Sequence, residues 1–157
     1  MKVELHCHST ASDGSLSPLE LIEQARMKEI NILALTDHDT TGGIPQAKMI
    51  GKELDIQVIP GIELSTRYNN ENIHILGYFK DDSYLSLDFQ AFLKDLQEYR
   101  IYRGRKIIEK LKEHFNIALE YEKIKVKVPG VLGRPHIAKA LIENKYAESF
   151  YEVFSKF

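Results

Sequence analysis

The sequence predicts an α/β fold, with a βα core in the first half and a mostly helical segment behind it. Three observations carry this. Short apolar runs alternate with stretches of helical period, and helix start signals stand in front of those stretches. After Lys80 the pattern turns long, charged and helical, with no proline to interrupt it before Pro129. At 157 residues, 43% apolar and 28% charged, the chain has the composition of a soluble globular protein with one core or one core and an appendage. We divide it into residues 1–80 and 81–157.

Val3–His8 is the first strand, with Val3, Leu5 and Cys7 on one face and His6 and His8 on the other. Ser9–Leu16 is a polar loop that turns at Asp13-Gly14. Ser17-Pro18-Leu19-Glu20 has the form of a capping box with proline at the first helical position, so a helix runs from there to about Glu29. Ile30–Leu35 is a second strand, apolar enough to be covered on both faces. Gly42-Gly43 precedes a helix through about Leu54, and Ile56–Ile59 is a third strand ending at Pro60-Gly61-Ile62-Glu63. Ile73–Phe79, after the Asn69–Asn72 turn, is a fourth strand, paired either antiparallel or through a short crossover. Leu85 to about His114 forms a long helix; two more begin near Arg134-Pro135 and Ser149.

Charge and cysteine usage narrow the function classes. A formal charge of −2 gives no general attraction to nucleic acid, so phosphate binding has to come from local basic groups. The single cysteine, Cys7, forms no internal disulfide and is read as a strand residue pointing away from the histidines. No stretch approaches the roughly 20 apolar residues of a membrane span, and no secretory signal is evident, so a cytoplasmic protein is expected.

The chemistry concentrates in His6, His8, Asp13, His38, Glu63 and His74. His8, His38 and Glu63 lie at or just past the carboxyl ends of strands, the rim on which α/β proteins build their sites. Mixed imidazole and carboxylate donors suit zinc, iron or manganese, and Glu63 is placed to bridge two ions. Asp37 and Asp39 flank His38 and are read as groups that orient it, or as a helix N-cap for Asp39.

The motifs His6-Cys7-His8-Ser9, Ser12-Asp13-Gly14, Leu35-Thr36-Asp37-His38-Asp39, Pro60-Gly61-Ile62-Glu63 and His74-Ile75-Leu76-Gly77 resemble those of the PHP (polymerase and histidinol phosphatase) superfamily. Within it the chain is most similar to phosphoesterases of 3′,5′-nucleoside bisphosphates and short RNA, a likeness that continues through Arg100–Arg103 and Gly133–His136. The resemblance implies the amino-terminal part of a distorted (β/α)7 barrel followed by a helical insertion. It implies two or three divalent ions, manganese first, with iron, zinc or magnesium as alternatives. His6, His8, Asp13, His38, Glu63 and His74 would be both ligands and catalytic centre. Family members continue into further barrel strands with a histidine and an Asp-x-His pair, so an incomplete barrel is expected in a chain ending at Phe157.

The basic residues then acquire a role. Arg100, Arg103 and Arg134, with Pro135 at a helix start offering free N–H groups, are expected to grip a second phosphate. Tyr99 and Tyr102 are read as solvated helix surface, and His136 is left outside the site. The expected ligand is a small phosphorylated nucleotide or short RNA, with neither duplex nucleic acid nor membrane as partner. A histidinol-phosphate-type phosphatase and a truncated, non-catalytic metal-binding module are the alternatives.

Overall fold

The computed structural model describes residues 1–157 as four strands and six α-helices. The strands are β1 (Val3–Cys7), β2 (Ile32–Leu35), β3 (Gln57–Tyr68) and β4 (Glu71–Tyr78). They form one sheet in the order β1-β2-β3-β4, with β1, β2 and β3 parallel and β4 antiparallel to β3. The parallel crossovers carry α1 (Pro18–Met27) and α2 (Ile44–Glu53). Both helices pack on one face of the sheet, where Ile22, Ala25, Leu33, Leu35, Ile44 and Ala47 are buried together.

The local signals act as their chemistry dictates. Ser17 accepts a hydrogen bond from the Glu20 N–H while Glu20 Oε2 accepts one from the Ser17 N–H at 2.8 Å, so the capping box starts α1. Asn69 and Asn70, at φ of 48° and 67°, form the two-residue link between β3 and β4. Two successive left-handed residues match the twist of an antiparallel pair, which selects a hairpin over a crossover.

The third and first strands depart from the sequence reading. The third strand does not end near Ile59 but runs as β3 to Tyr68, because past Pro60 it exchanges its β2 partner for β4. On β1, Val3 and Leu5, read as sharing a face with Cys7, are 45% and 44% exposed, since β1 is a sheet edge. A bulge between Glu4 and Cys7, where three steps of β1 face two of β2, also interrupts its regular alternation.

The sheet curls. β1 and β4 are its opposite edges, yet Tyr78 Oη donates to the Leu5 carbonyl at 2.9 Å. This closes the strands around a concave face that carries the histidines.

The second half is helical: a 3₁₀ turn at Asp82–Leu85, then α3 (Leu87–Phe115), α4 (Tyr121–Val126), α5 (Arg134–Glu143) and α6 (Phe150–Lys156). Its own apolar cluster includes Ile108, Leu111, Tyr121, Ile137 and Leu141. α4 lies in a stretch whose sequence pattern defines no element. No helix is long and apolar enough to cross a membrane.

Several contacts tie this segment to the first half, and two of them bear on the site. At the first, the Val131 N–H donates to the Ala11 carbonyl at 2.9 Å, and a Cβ on Gly130 would lie 2.0 Å from that same oxygen. At the second, Arg100 of α3 pairs with Asp39, both side chains being almost fully buried.

Candidate metal centre

Glu63 is the hub. It sits inside β3, not at its end, but it lies level with the end of β2 through a parallel bridge between His38 and Glu63. The Glu63 N–H donates to the Asp37 carbonyl, and the Asp39 N–H to the Glu63 carbonyl, both at 3.1 Å. The carboxylate therefore projects into the concavity with 4% of the residue exposed.

Its two oxygens divide the histidines between them. Oε2 lies 2.6 Å from His6 Nε2 and 2.9 Å from His8 Nε2. Oε1 lies 2.6 Å from His74 Nδ1. His6 and His8 converge to 3.1 Å between their Nε2 atoms, and His38 Nε2 stands 3.6 Å from Asp13 Oδ2. All six residues singled out from the sequence thus meet in one place. They form three overlapping donor groups: His6, His8 and Glu63; His8, Asp13 and His38; His38, Glu63 and His74. Within each group the donor atoms lie within 4.8 Å of one another.

The electrostatics fit cations. Burial alone would raise the Glu63 pKa, but hydrogen bonds from His6 and His74 and the nearby His38 and His8 outweigh it and hold it below the usual value. Burial depresses His38, keeping its imidazole in the neutral form that binds metal. His38 Nδ1 is a buried nitrogen without a hydrogen-bond partner. A buried polar atom left unpaired is costly, and coordination of an ion would satisfy it. Ligand distances of about 2.0–2.2 Å from zinc to nitrogen and oxygen suit donors gathered this closely. These residues fit divalent ions.

Asp37 does not orient His38. Its carboxylate accepts from the Ser9 N–H and Ser9 Oγ, each at 2.7 Å, and from Ser12 Oγ at 2.6 Å. It is 1% exposed, and burial raises its pKa although these hydrogen bonds oppose the shift. Ser12 Oγ also lies 3.4 Å from His8 Nδ1. Asp37 therefore shapes the loop that carries His8 and Asp13. At Gly14 a Cβ would come within 2.3 Å of the His8 carbonyl oxygen, so that loop closes only over a glycine. Asp39 is no N-cap either: Gly43 holds that position for α2, while Asp39 accepts from the Ser65 N–H at 2.8 Å and pairs with Arg100 Nε. No spacing rule links Asp39 to an arginine so far along the chain.

A cavity of about 110 Å³ opens beside this cluster, lined by Asp13, His38 and His74 together with Arg100, Arg103 and Arg134. Pro135 also lines it. Arg100 Nη2 donates to Ser65 Oγ at 2.7 Å, so part of its guanidinium is committed within the protein. Arg103 and Arg134 enter none of the chain's ion pairs. Burial, then the charges of Arg100 and Arg134, lower the pKa of Arg103. The first turn of α5 offers few free donors: the Gly133 N–H already binds His136 Nδ1 at 2.9 Å, and Pro135 has no N–H. The guanidinium groups supply most of the positive character instead. A further cavity, about 540 Å³ between α4 and α5, touches none of the six cluster residues.

Comparison with known proteins agrees with this geometry. The family profile of the PHP domain matches residues 4–157. A 5′-3′ exoribonuclease of Haemophilus influenzae is 37% identical over 156 residues, covering 99% of this chain and 56% of the relative. A 3′,5′-nucleoside bisphosphate phosphatase of Chromobacterium violaceum is 31% identical over 160 residues, covering 99% of this chain and 54% of the relative. The chain spans about half the length of these curated relatives. A solved structure of an amidohydrolase from Chromobacterium violaceum with bound sulfate superposes with a TM-score of 0.90 at 31% identity. That superposition covers 100% of this chain and 55% of that one, so the curled four-stranded sheet and the helices behind it match about half of that structure. The chain belongs to the PHP domain family.

Proposed function

We propose that the protein is a metal-dependent phosphoesterase that removes the 3′-phosphate of nucleoside 3′,5′-bisphosphates and also acts on short RNA from the 5′ end. The observation that carries this reading is that Arg103 and Arg134, which enter no ion pair, line the same cavity of about 110 Å³ as Asp13, His38 and His74 of the donor cluster. Arginines gathered so closely repel one another unless an anion joins them. A phosphorylated ligand supplies that anion, and the relatives named above act on such molecules.

His6, His8, Asp13, His38, Glu63 and His74 would hold two or three divalent ions, with Glu63 shared between neighbouring groups. Such ions, when bound, lower the pKa of water toward about 7 and neutralise phosphoryl oxygens. The chain's own part is to position. Asp37 shapes the loop bearing Asp13, and burial keeps His38 unprotonated. Arg103 and Arg134 take a phosphate through paired N–H donors, with Arg100 anchored behind them by Asp39 and Ser65.

The test is phosphate release from adenosine 3′,5′-bisphosphate with manganese, using the protein at its full natural length. Arg134→Ala should lower kcat/KM for the bisphosphate by about 10- to 100-fold, as expected for a lost charged contact. A small aryl phosphate should lose much less. Equal losses on both substrates would remove the arginines from the account. Efficient turnover of single-phosphate esters alone would favour a histidinol-phosphate-type phosphatase.

A further inference from the structure

The bulge in β1 falls directly in front of the His-x-His motif. Glu4 is level with Leu33 and Cys7 with Leu35, so Leu5 and His6 together stand opposite Ala34. A bulge disrupts the regular ladder and re-aims the side chains it carries. Here both polar groups of the Leu5–His6 peptide are taken by side chains. Tyr78 Oη donates to the Leu5 carbonyl at 2.9 Å, and the His6 N–H donates to Glu4 Oε1 at 3.2 Å. One partner belongs to the bulged strand itself, the other to the opposite edge of the sheet. Tyr78 shares its face of β4 with His74, because the hairpin register runs unbroken from the Ser65–His74 pair to the Gly61–Tyr78 pair.

The peptide held in this way leads into the Cα of His6 and sets the direction in which that side chain leaves β1. His6 needs such control more than its neighbours. Its side chain is 48% exposed, the highest value among the four histidines of the cluster, so packing does least to fix its ring. Yet its Nε2 lies 2.6 Å from Glu63 Oε2 and 3.1 Å from His8 Nε2. Regular alternation does not supply this convergence, since the ladder slips by one residue between Glu4 and Cys7 and such a slip turns side chains toward the other face.

We infer that Tyr78 and Glu4 are positioning residues for the metal centre: together they clamp the Leu5–His6 peptide and aim His6 at the position it shares with His8 and Glu63. The inference rests on the reading of the six donors as a metal centre and adds two residues that lie outside the motifs carrying those donors. The clamp serves one donor group of the three, because His6 belongs with His8 and Glu63 and to neither of the other groups.

The experiment is calorimetric titration of the full-length protein with zinc, which reads binding and not turnover. The unaltered protein should take up more than one ion. Tyr78→Phe, which removes only the hydroxyl, should weaken one binding step about tenfold, as for loss of an outer group that orients a metal ligand, and leave the other steps unchanged. In a His6→Ala background the same substitution should change no step further, because its action passes through His6. Glu4→Ala should weaken the same step, and Glu4→Gln, which keeps an oxygen for the His6 N–H, should restore it. An unchanged titration of Tyr78→Phe, equal losses on every step, an undiminished effect in the His6→Ala background, or equal losses in Glu4→Ala and Glu4→Gln would overturn the clamp and leave the metal centre standing. No zinc uptake by the unaltered protein would overturn both.

Discussion

Removing the carboxylate of Asp39 should destabilise the fold far more than removing an ordinary surface charge. Arg100 and Asp39 are 6% and 0% exposed, and the pair joins α3 to the segment carrying His38. Asp39→Leu leaves a buried guanidinium that cannot release its proton, and it strips the acceptor from the Ser65 N–H. Breaking a buried pair in this way costs about 3–5 kcal/mol, against about 0–1 kcal/mol for exposed pairs. The loss is a large share of the roughly 5–15 kcal/mol that holds a domain together. Arg100→Met leaves a carboxylate instead, which can take up a proton, so its penalty should shrink as pH is lowered while that of Asp39→Leu does not. Joining both substitutions replaces the ion pair with apolar surface and should recover about 2 kcal/mol or more relative to Asp39→Leu alone. Urea unfolding of the four proteins, analysed as a double-mutant cycle, measures this. A loss under about 1 kcal/mol for Asp39→Leu, or strict additivity of the two substitutions, would refute the reasoning.

Two further outcomes follow from the Gly130 contact and from burial. Gly130→Ala places a Cβ against the Ala11 backbone and should push away the loop that bears Asp13, lowering metal affinity at least several-fold by titration calorimetry; unchanged affinity would show that the loop is set without this contact. Burial lowers the pKa of His136 below its usual 6.5, so the unfolded chain binds that proton more readily and stability is lost as pH falls from 6.5 through the folded value. His136→Gln should flatten the metal-free stability profile below pH 6.5 by up to about 1.4 kcal/mol per pH unit, leaving the part of the same sign due to His38, and an unchanged slope in urea melts at several pH values would refute it.

Much of the candidate site is legible in the sequence. Helix starts are written in local chemistry: Ser17 with Glu20, and proline inside the first turns of α1 and α5. Period 2 puts His6 and His8 together, and motif order names the six donors that the tertiary structure gathers around the Glu63 carboxylate. These features are readable because each depends on neighbours within a few residues or on donor types that rarely serve another purpose together.

What the chain alone leaves open involves partners distant in sequence. Whether β4 pairs antiparallel, where β3 stops and whether Val3 and Leu5 are covered all depend on which strand lies alongside. Asp37 and Asp39 look like attendants of His38, yet one serves the Ser9–Ser12 loop and the other Arg100, 61 residues away. Tyr78 reaches the Leu5–His6 peptide only because the sheet curls and brings its two edges together. Local sequence sets which groups are available and where helices begin. Only the closing of the chain on itself decides which charges are buried together and which stay free to meet a ligand, because desolvation and Coulomb energy depend on distances that sequence spacing does not encode.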